Sequence, residues 1–228
     1  MLREFLSIFR SGQPLEAMGE NFAQMLKLTY EQTIQAGEIY FEQAASADER
    51  TQIYKWDVKV NKLERAIRKQ VIAHLSVRGN TASLPYSLLL MSLVKDVERI
   101  GDYAKNLSEV VELHAGPLPD DEIVAELREI RSGVEAAFAV TADVFASSDR
   151  ERAVELIREG RDLTHRCDAL VQRIADSSHG ARTTTALVLA TRFYKRIGAH
   201  VVNVLSSVVM PLHKLDYYDE SVLGGGRE

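Results

Sequence analysis

The sequence predicts an all-α fold of two tandem antiparallel three-helix bundles with six long helices. Apolar residues recur every three or four positions over long segments, as on one face of a helix. Only five prolines occur in 228 residues, and each can be placed at a helix start, connector or end. Aromatic residues make up 7% of the chain, which argues against a β-sandwich or barrel. The length allows one or two domains with a sizeable core.

Turn signals divide the chain into these helices. Ser46 precedes acidic residues, as an N-cap does, and Gly79-Asn80 ends one helix before Pro85 begins the next. The segment Gly116-Pro117-Leu118-Pro119 is the one connector rich in proline and glycine. The predicted helices span residues 15–45, 47–78, 83–115, 120–147, 149–179 and 183–214.

A short motif occurs twice and predicts an internal duplication. Arg99-Ile100-Gly101 recurs as Arg196-Ile197-Gly198, 97 residues later, and Asn106 recurs as Asn203 at the same offset. We therefore predict two three-helix repeats, the first over residues 1–116 and the second over 117–228. The first repeat begins with an amphipathic segment, 1–14, which we expect to dock on the bundle or on a second subunit rather than on a membrane. The second repeat ends in a flexible tail.

Composition limits the class of protein. A net charge of −5 does not suit a protein that coats nucleic acid, which needs an excess of Lys and Arg. The single cysteine, Cys167, cannot form an internal disulfide, and this fits a reducing compartment. Neither a membrane-spanning stretch nor a secretory signal is evident. We expect a cytoplasmic protein, peripheral at most to the inner face of the membrane.

Acidic residues concentrate on facing sides of the second and third predicted helices. Glu98 and Asp102 are i, i+4 neighbours, so both carboxylates project from one face. If the two helices form a hairpin that turns near Gly79, residues whose numbers sum to about 162 lie level with each other. Asp57 then lies near Lys105. The groove gathers four carboxylates and an amide, from Asp57, Asn61, Glu64, Glu98 and Asp102.

Clustered carboxylates repel one another unless positive charge lies between them. Either neighbouring Lys and Arg residues neutralise the groove, or a hard cation with oxygen ligands does, and the charge pattern leaves both interpretations open. In the second repeat Lys195 replaces Glu98 and Ala199 replaces Asp102. We expect Lys195 to pair with Asp168, and any second metal site to be lost.

Catalytic motifs are missing from the sequence, so we expect no enzymatic activity. A ferritin-type di-iron site needs Glu-x-x-His motifs, and no Glu has a His three residues later. Cys167 is interpreted as a small core residue. No glycine-rich phosphate loop or serine nucleophile motif is present.

The acidic segments resemble a known family. Asp57-Val58-Lys59-Val60-Asn61-Lys62-Leu63-Glu64, followed by Asp96-Val97-Glu98-Arg99-Ile100-Gly101-Asp102, is similar to the PhoU family of phosphate-uptake regulators. The element from Glu98 to Asp102, with Arg-Ile-Gly inside, is that family's signature. The resemblance covers residues 15–214 and implies two three-helix bundles related by a pseudo-twofold axis.

The resemblance implies a cytoplasmic regulator of phosphate import and phosphate-starvation signalling. Its implied partners are a membrane phosphate transporter, either an ABC-type ATPase or a sodium- or proton-coupled carrier, and a sensor histidine kinase. It also implies iron, zinc or another divalent cation, with Asp57, Asn61, Glu64, Glu98 and Asp102 as candidate ligands. We further expect a homodimer. The alternative is a metal-binding or structural helical-bundle adaptor unrelated to phosphate.

Overall fold

Six long helices follow one another along the part of the chain that the structure describes, as predicted. The computed structural model describes residues 13–42, 46–114 and 116–215. The predictions for the amphipathic segment up to residue 12, and for the tail after residue 215, lie outside the described residues. The helices are α1 (Gln13–Glu42), α2 (Ala47–Leu75), α3 (Leu84–Glu109), α4 (Glu122–Ser147), α5 (Arg150–Ala175) and α6 (Ala181–Val209).

Local chemistry explains where the helices begin and end. Ser46 caps α2 through a capping box with Glu49, as its position before acidic residues suggests. Four helices, α2, α3, α5 and α6, end a few residues earlier than predicted. Gly79 takes a left-handed conformation with φ of 99° after α2, and a short 3-10 helix, Val110–Leu113, follows α3. Pro211 forces the residue before it to be extended, so α6 ends at Val209.

The helices pack as two three-helix bundles that share one core. Within each repeat, each helix contacts the other two, and between the repeats α3 packs on α6 and α1 on α4. The buried apolar residues of all six helices form one continuous cluster. The all-α fold of two three-helix bundles is confirmed, whereas the boundary between residues 116 and 117 stays a prediction. No described helix is long and apolar enough to cross a membrane.

The two matched glycines bring helices close together in the same way in both repeats. A Cβ on Gly101 would lie 3.1 Å from Oε1 of Gln32 on α1, and Nε2 of Gln32 donates a hydrogen bond of 3.1 Å to the Gly101 carbonyl. A Cβ on Gly198 would lie 3.4 Å from Val134 on α4. Each glycine therefore faces the first helix of its own repeat.

Aromatic side chains gather where the two repeats meet. Tyr103 of α3 packs against Phe193 and His200 of α6, with ring centroids 6.1 and 5.8 Å apart. Tyr30 of α1 meets Phe138 of α4 edge to face at 5.6 Å. These large rings bury much area between the repeats, so the few aromatics of the sequence mainly hold its two halves together.

Candidate functional site

The predicted acidic groove lies between α2 and α3, and Lys105 occupies its open end. Nζ of Lys105 is 3.2 Å from a carboxylate oxygen of Asp57 on α2, and 3.2 Å from one of Asp102 on α3. Nδ2 of Asn61 donates to Asp57 at 3.4 Å. The hairpin register derived from the sequence is therefore correct at this level, since Asp57 and Lys105 are in direct contact.

The two glutamates of the groove pair with cations on their own helices. Glu64 accepts from Arg68, one turn later on α2, at 2.8 Å. Glu98 accepts from Lys95, on the preceding turn of α3, at 2.6 Å. Both glutamate side chains are mostly buried, whereas both cations are largely exposed. Each carboxylate of the groove thus has a nearby positive partner.

The charges of Lys105 and its two partners stabilise one another. Partial burial lowers the pKa of Lys105, but hydrogen bonds and attraction from Asp57 and Asp102 outweigh that effect, so its pKa is raised overall. A raised lysine pKa means that the fold favours the ammonium form. Lys105 therefore supplies at this point of the groove the positive charge that a bound cation would otherwise bring.

The described arrangement does not fit a metal cluster. Among the residues that the structure describes, no three His, Cys, Asp or Glu side chains are grouped so that they could hold a metal ion. The oxygens of Asp57 and Asp102 point at an ammonium group, which occupies the position of a hard cation. The geometry favours the ion-pair interpretation, and the metal-ligand assignment of Asp57, Asn61, Glu64, Glu98 and Asp102 stays a prediction.

The second repeat carries an ion pair at the corresponding place. Nζ of Lys195 on α6 lies 2.5 and 2.6 Å from the two carboxylate oxygens of Asp168 on α5. The guanidinium of Arg192 adds a weaker contact to Asp168 at 3.7 Å. The predicted pairing of Lys195 with Asp168 is therefore confirmed, and both repeats place a lysine between their second and third helices.

One polar cluster was not singled out as a site by the sequence. Asp96 on α3 is buried and accepts hydrogen bonds from Nδ1 of His200 at 2.7 Å and from Nδ2 of Asn203 at 2.8 Å, both on α6. The ring of Tyr103 stacks on His200. The cluster links the two repeats, and the signal for it in the sequence was the recurrence of Asn106 as Asn203.

The fold and the groove together define a class of protein. It is an all-helical tandem repeat whose facing second and third helices carry acids neutralised by lysine and arginine. Residues 15–111 match the PhoU domain family, and this range covers the whole groove. The chain is therefore similar to the PhoU family over most of its first repeat.

Two curated relatives are similar to a longer part of the chain. An accessory protein of the phosphate-specific transport system from Pseudomonas aeruginosa, a PhoU homologue, is 26% identical over 165 residues, or 69% of this chain and 67% of the relative. A Clostridium acetobutylicum protein with the same description is 21% identical over 167 residues, covering 69% of this chain and 74% of the relative.

Two crystal structures share the fold. PhoU from Pseudomonas aeruginosa superposes with a TM-score of 0.78 at 21% identity, covering 90% of this chain and 99% of that one. The phosphate transport system regulatory protein PhoU from Streptococcus pneumoniae gives a TM-score of 0.75 at 16% identity, covering 86% and 93%. At these identities, the structures support the fold alone.

Proposed function

We propose that the protein is a non-enzymatic regulator of phosphate uptake and of phosphate-starvation signalling. It would act by binding a membrane phosphate transporter, a sensor histidine kinase, or both. The match of residues 15–111 to the PhoU domain carries the proposal. The curated relatives in Pseudomonas and Clostridium, described as accessory proteins of phosphate-specific transport, support the same role.

A binding role suits the chemistry of the described residues. Cys167, the one thiol in the chain, is buried, and burial raises its pKa to about 11. Such a thiol is protonated at neutral pH and makes a poor nucleophile. A regulator of this kind works by binding one state of its partner more tightly than another, and needs no catalytic group.

The proposal predicts a physical and a physiological result. The tagged full chain should co-purify with a phosphate carrier, a transport ATPase or a sensor kinase from detergent-solubilised membranes, in which no lipid surface remains to retain it. Cells that lack the protein should take up more labelled phosphate than parent cells. Reintroducing the intact gene should return phosphate uptake to the parent level. An unrelated tagged helical bundle is the control. Unchanged uptake, together with no such partner, would count against the proposal.

A further inference from the structure

The first repeat presents a cationic face on α2. Residues 51–82 contain seven Lys or Arg and only two acids. Both acids, Asp57 and Glu64, lie on the side of α2 that faces α3, where Lys105 and Arg68 neutralise them. Beyond its first turn, which holds the exposed acids Asp48 and Glu49, the side of α2 that points away from the bundle therefore carries no negative charge.

The cations of this outward side are exposed and available to a partner. In the part of the chain that the structure describes, none of them forms an ion pair, although most other cations of the chain do. We call these residues, together with the exposed apolar side chains on the same helix and in the turn that follows it, the outward face of α2. Its cations on the helix are Lys55, Lys59, Lys62, Arg65 and Lys69, and Arg78 lies in the turn after it.

Exposed aliphatic side chains accompany these cations. Val58, Ile72 and Val77 are 50%, 63% and 58% exposed. Two more exposed leucines, Leu84 and Leu88, follow at the start of the next helix. Among the described residues, all the large apolar side chains that are exposed belong to the first repeat. Aliphatic side chains between long basic side chains are typical of protein surfaces that bind lipid membranes. The basic groups contact the lipid headgroups, and the aliphatic groups enter the boundary between headgroups and acyl chains.

The corresponding helix of the second repeat has a mixed surface. The five acids of α5 are exposed and stand among six arginines, of which Arg152 and Arg166 pair with glutamates. No large apolar side chain of α5 is exposed. The cationic, partly apolar face is therefore specific to α2, and is not a general property of the second helix of a repeat.

We propose that the outward face of α2 binds an anionic membrane surface. Clusters of four to eight Lys or Arg residues on a helix attract anionic lipids, and the exposed aliphatic groups can enter the interface between headgroups and acyl chains. A second copy could offer the acids of its α5, but six arginines stand among them and that helix has no exposed apolar groups for Ile72 or Val77. This proposal does not depend on the phosphate role. Binding to the membrane surface would, however, hold the protein beside a membrane transporter.

Vesicle binding by the purified full chain tests this surface. Vesicles of phosphatidylcholine alone are compared with vesicles that also contain phosphatidylglycerol, by co-sedimentation at low salt and at about 0.5 M salt, where charges are strongly screened. We expect binding only to the anionic vesicles, weakened by salt. Since each basic residue contributes roughly a fivefold factor at such a surface, Lys62→Glu with Lys69→Glu should weaken binding at least about 30-fold.

A matched control separates position from net charge. Arg158→Glu with Arg182→Glu reverses two exposed cations of the second repeat, changes the net charge equally, and should bind vesicles as the parent does. Ile72→Gln should weaken binding several-fold without changing its dependence on salt. Circular dichroism checks that each variant is folded.

Three results would overturn the proposal. The first is that the parent fails to bind anionic vesicles at low salt. The second is that the two double variants bind equally, which would assign the attraction to net charge or to another segment such as residues 1–12. The third is that the parent forms oligomers that the α2 variant disrupts, without binding vesicles, which would make this face a contact between copies. All three leave the phosphate role testable through partner purification.

Discussion

Replacing Lys105 with methionine removes the charge that links the two sides of the acidic groove. Methionine has a length and helix propensity similar to those of lysine, so the change acts mainly on charge. Two unit charges 3.2 Å apart attract by roughly 5 kcal/mol at an effective dielectric constant of about 20. Desolvation and side-chain ordering cancel most of this attraction.

The net effect on stability follows from exposure. The side chains of Asp57 and Lys105 are 15% and 22% exposed, so their pair lies between an exposed pair, at about 0–1 kcal/mol, and a buried one, at about 3–5 kcal/mol. We expect Lys105→Met to lower the free energy of unfolding by about 2 kcal/mol. Lys195→Met is the matched control, and should cost at most about 1 kcal/mol because Asp168 is half exposed.

Urea unfolding followed by circular dichroism at neutral pH measures both variants. If Lys105→Met destabilises the protein no more than Lys195→Met, then Lys105 does not neutralise partly buried carboxylates and the reasoning fails. The raised pKa of Lys105 also makes the stability of the protein depend on pH. The contribution of Lys105 to the free energy of unfolding should be complete below pH 10.5, the ordinary pKa of lysine. It should be lost as the pH rises through the folded-state pKa.

The same variant tests the predicted metal site. With Lys105 gone, Asp57 and Asp102 have no shared cation, so zinc or manganese should raise the unfolding midpoint of Lys105→Met more than that of the parent. Glu98→Ala with Asp102→Ala should abolish any such stabilisation. If the parent binds one equivalent of metal and Lys105→Met binds it no more tightly, the lysine does not occupy the cation position.

Two further predictions concern buried groups. Asp96→Ala leaves His200 and Asn203 without their shared acceptor between the repeats, so it should lower the free energy of unfolding by about 2–3 kcal/mol; a urea midpoint equal to that of the parent would show that the cluster contributes nothing. Cys167 should react with a thiol reagent in folded protein far more slowly than in urea, because its pKa is raised from 9.0 to about 11. Since the folded state keeps this proton, stability should fall as the pH rises from 9.0 towards 11; fast labelling of folded protein would contradict the assigned burial.

The contacts within each repeat could be predicted from the sequence to good accuracy. Short connections force consecutive helices to be antiparallel, so counting back from the turn at Gly79 places Asp57 against Lys105. The same reasoning, with the replacement of Glu98 by Lys195, predicts the ion pair with Asp168. Such contacts depend on helix periodicity and loop length, and both can be read from the chain.

The sequence did not decide how the carboxylates of the groove are neutralised. Glu64 and Glu98 have several lysines and arginines within reach, and only side-chain packing selects Arg68 and Lys95. The charge pattern therefore left both the metal and the ion-pair interpretation open. The outward face of α2 was not apparent from composition, because the net charge of −5 is a sum over the whole chain and does not show that cations gather on one helix.

By itself, the sequence determined the helical architecture and the register between α2 and α3, because helix periodicity and short turns act between near neighbours in the chain. Only the tertiary structure decided how the two repeats meet. Asp96 accepts hydrogen bonds from His200 and Asn203, which lie more than 100 residues away in the sequence. Tyr103 packs against Phe193. No periodic rule fixes that docking, because it depends on the fit between two completed surfaces.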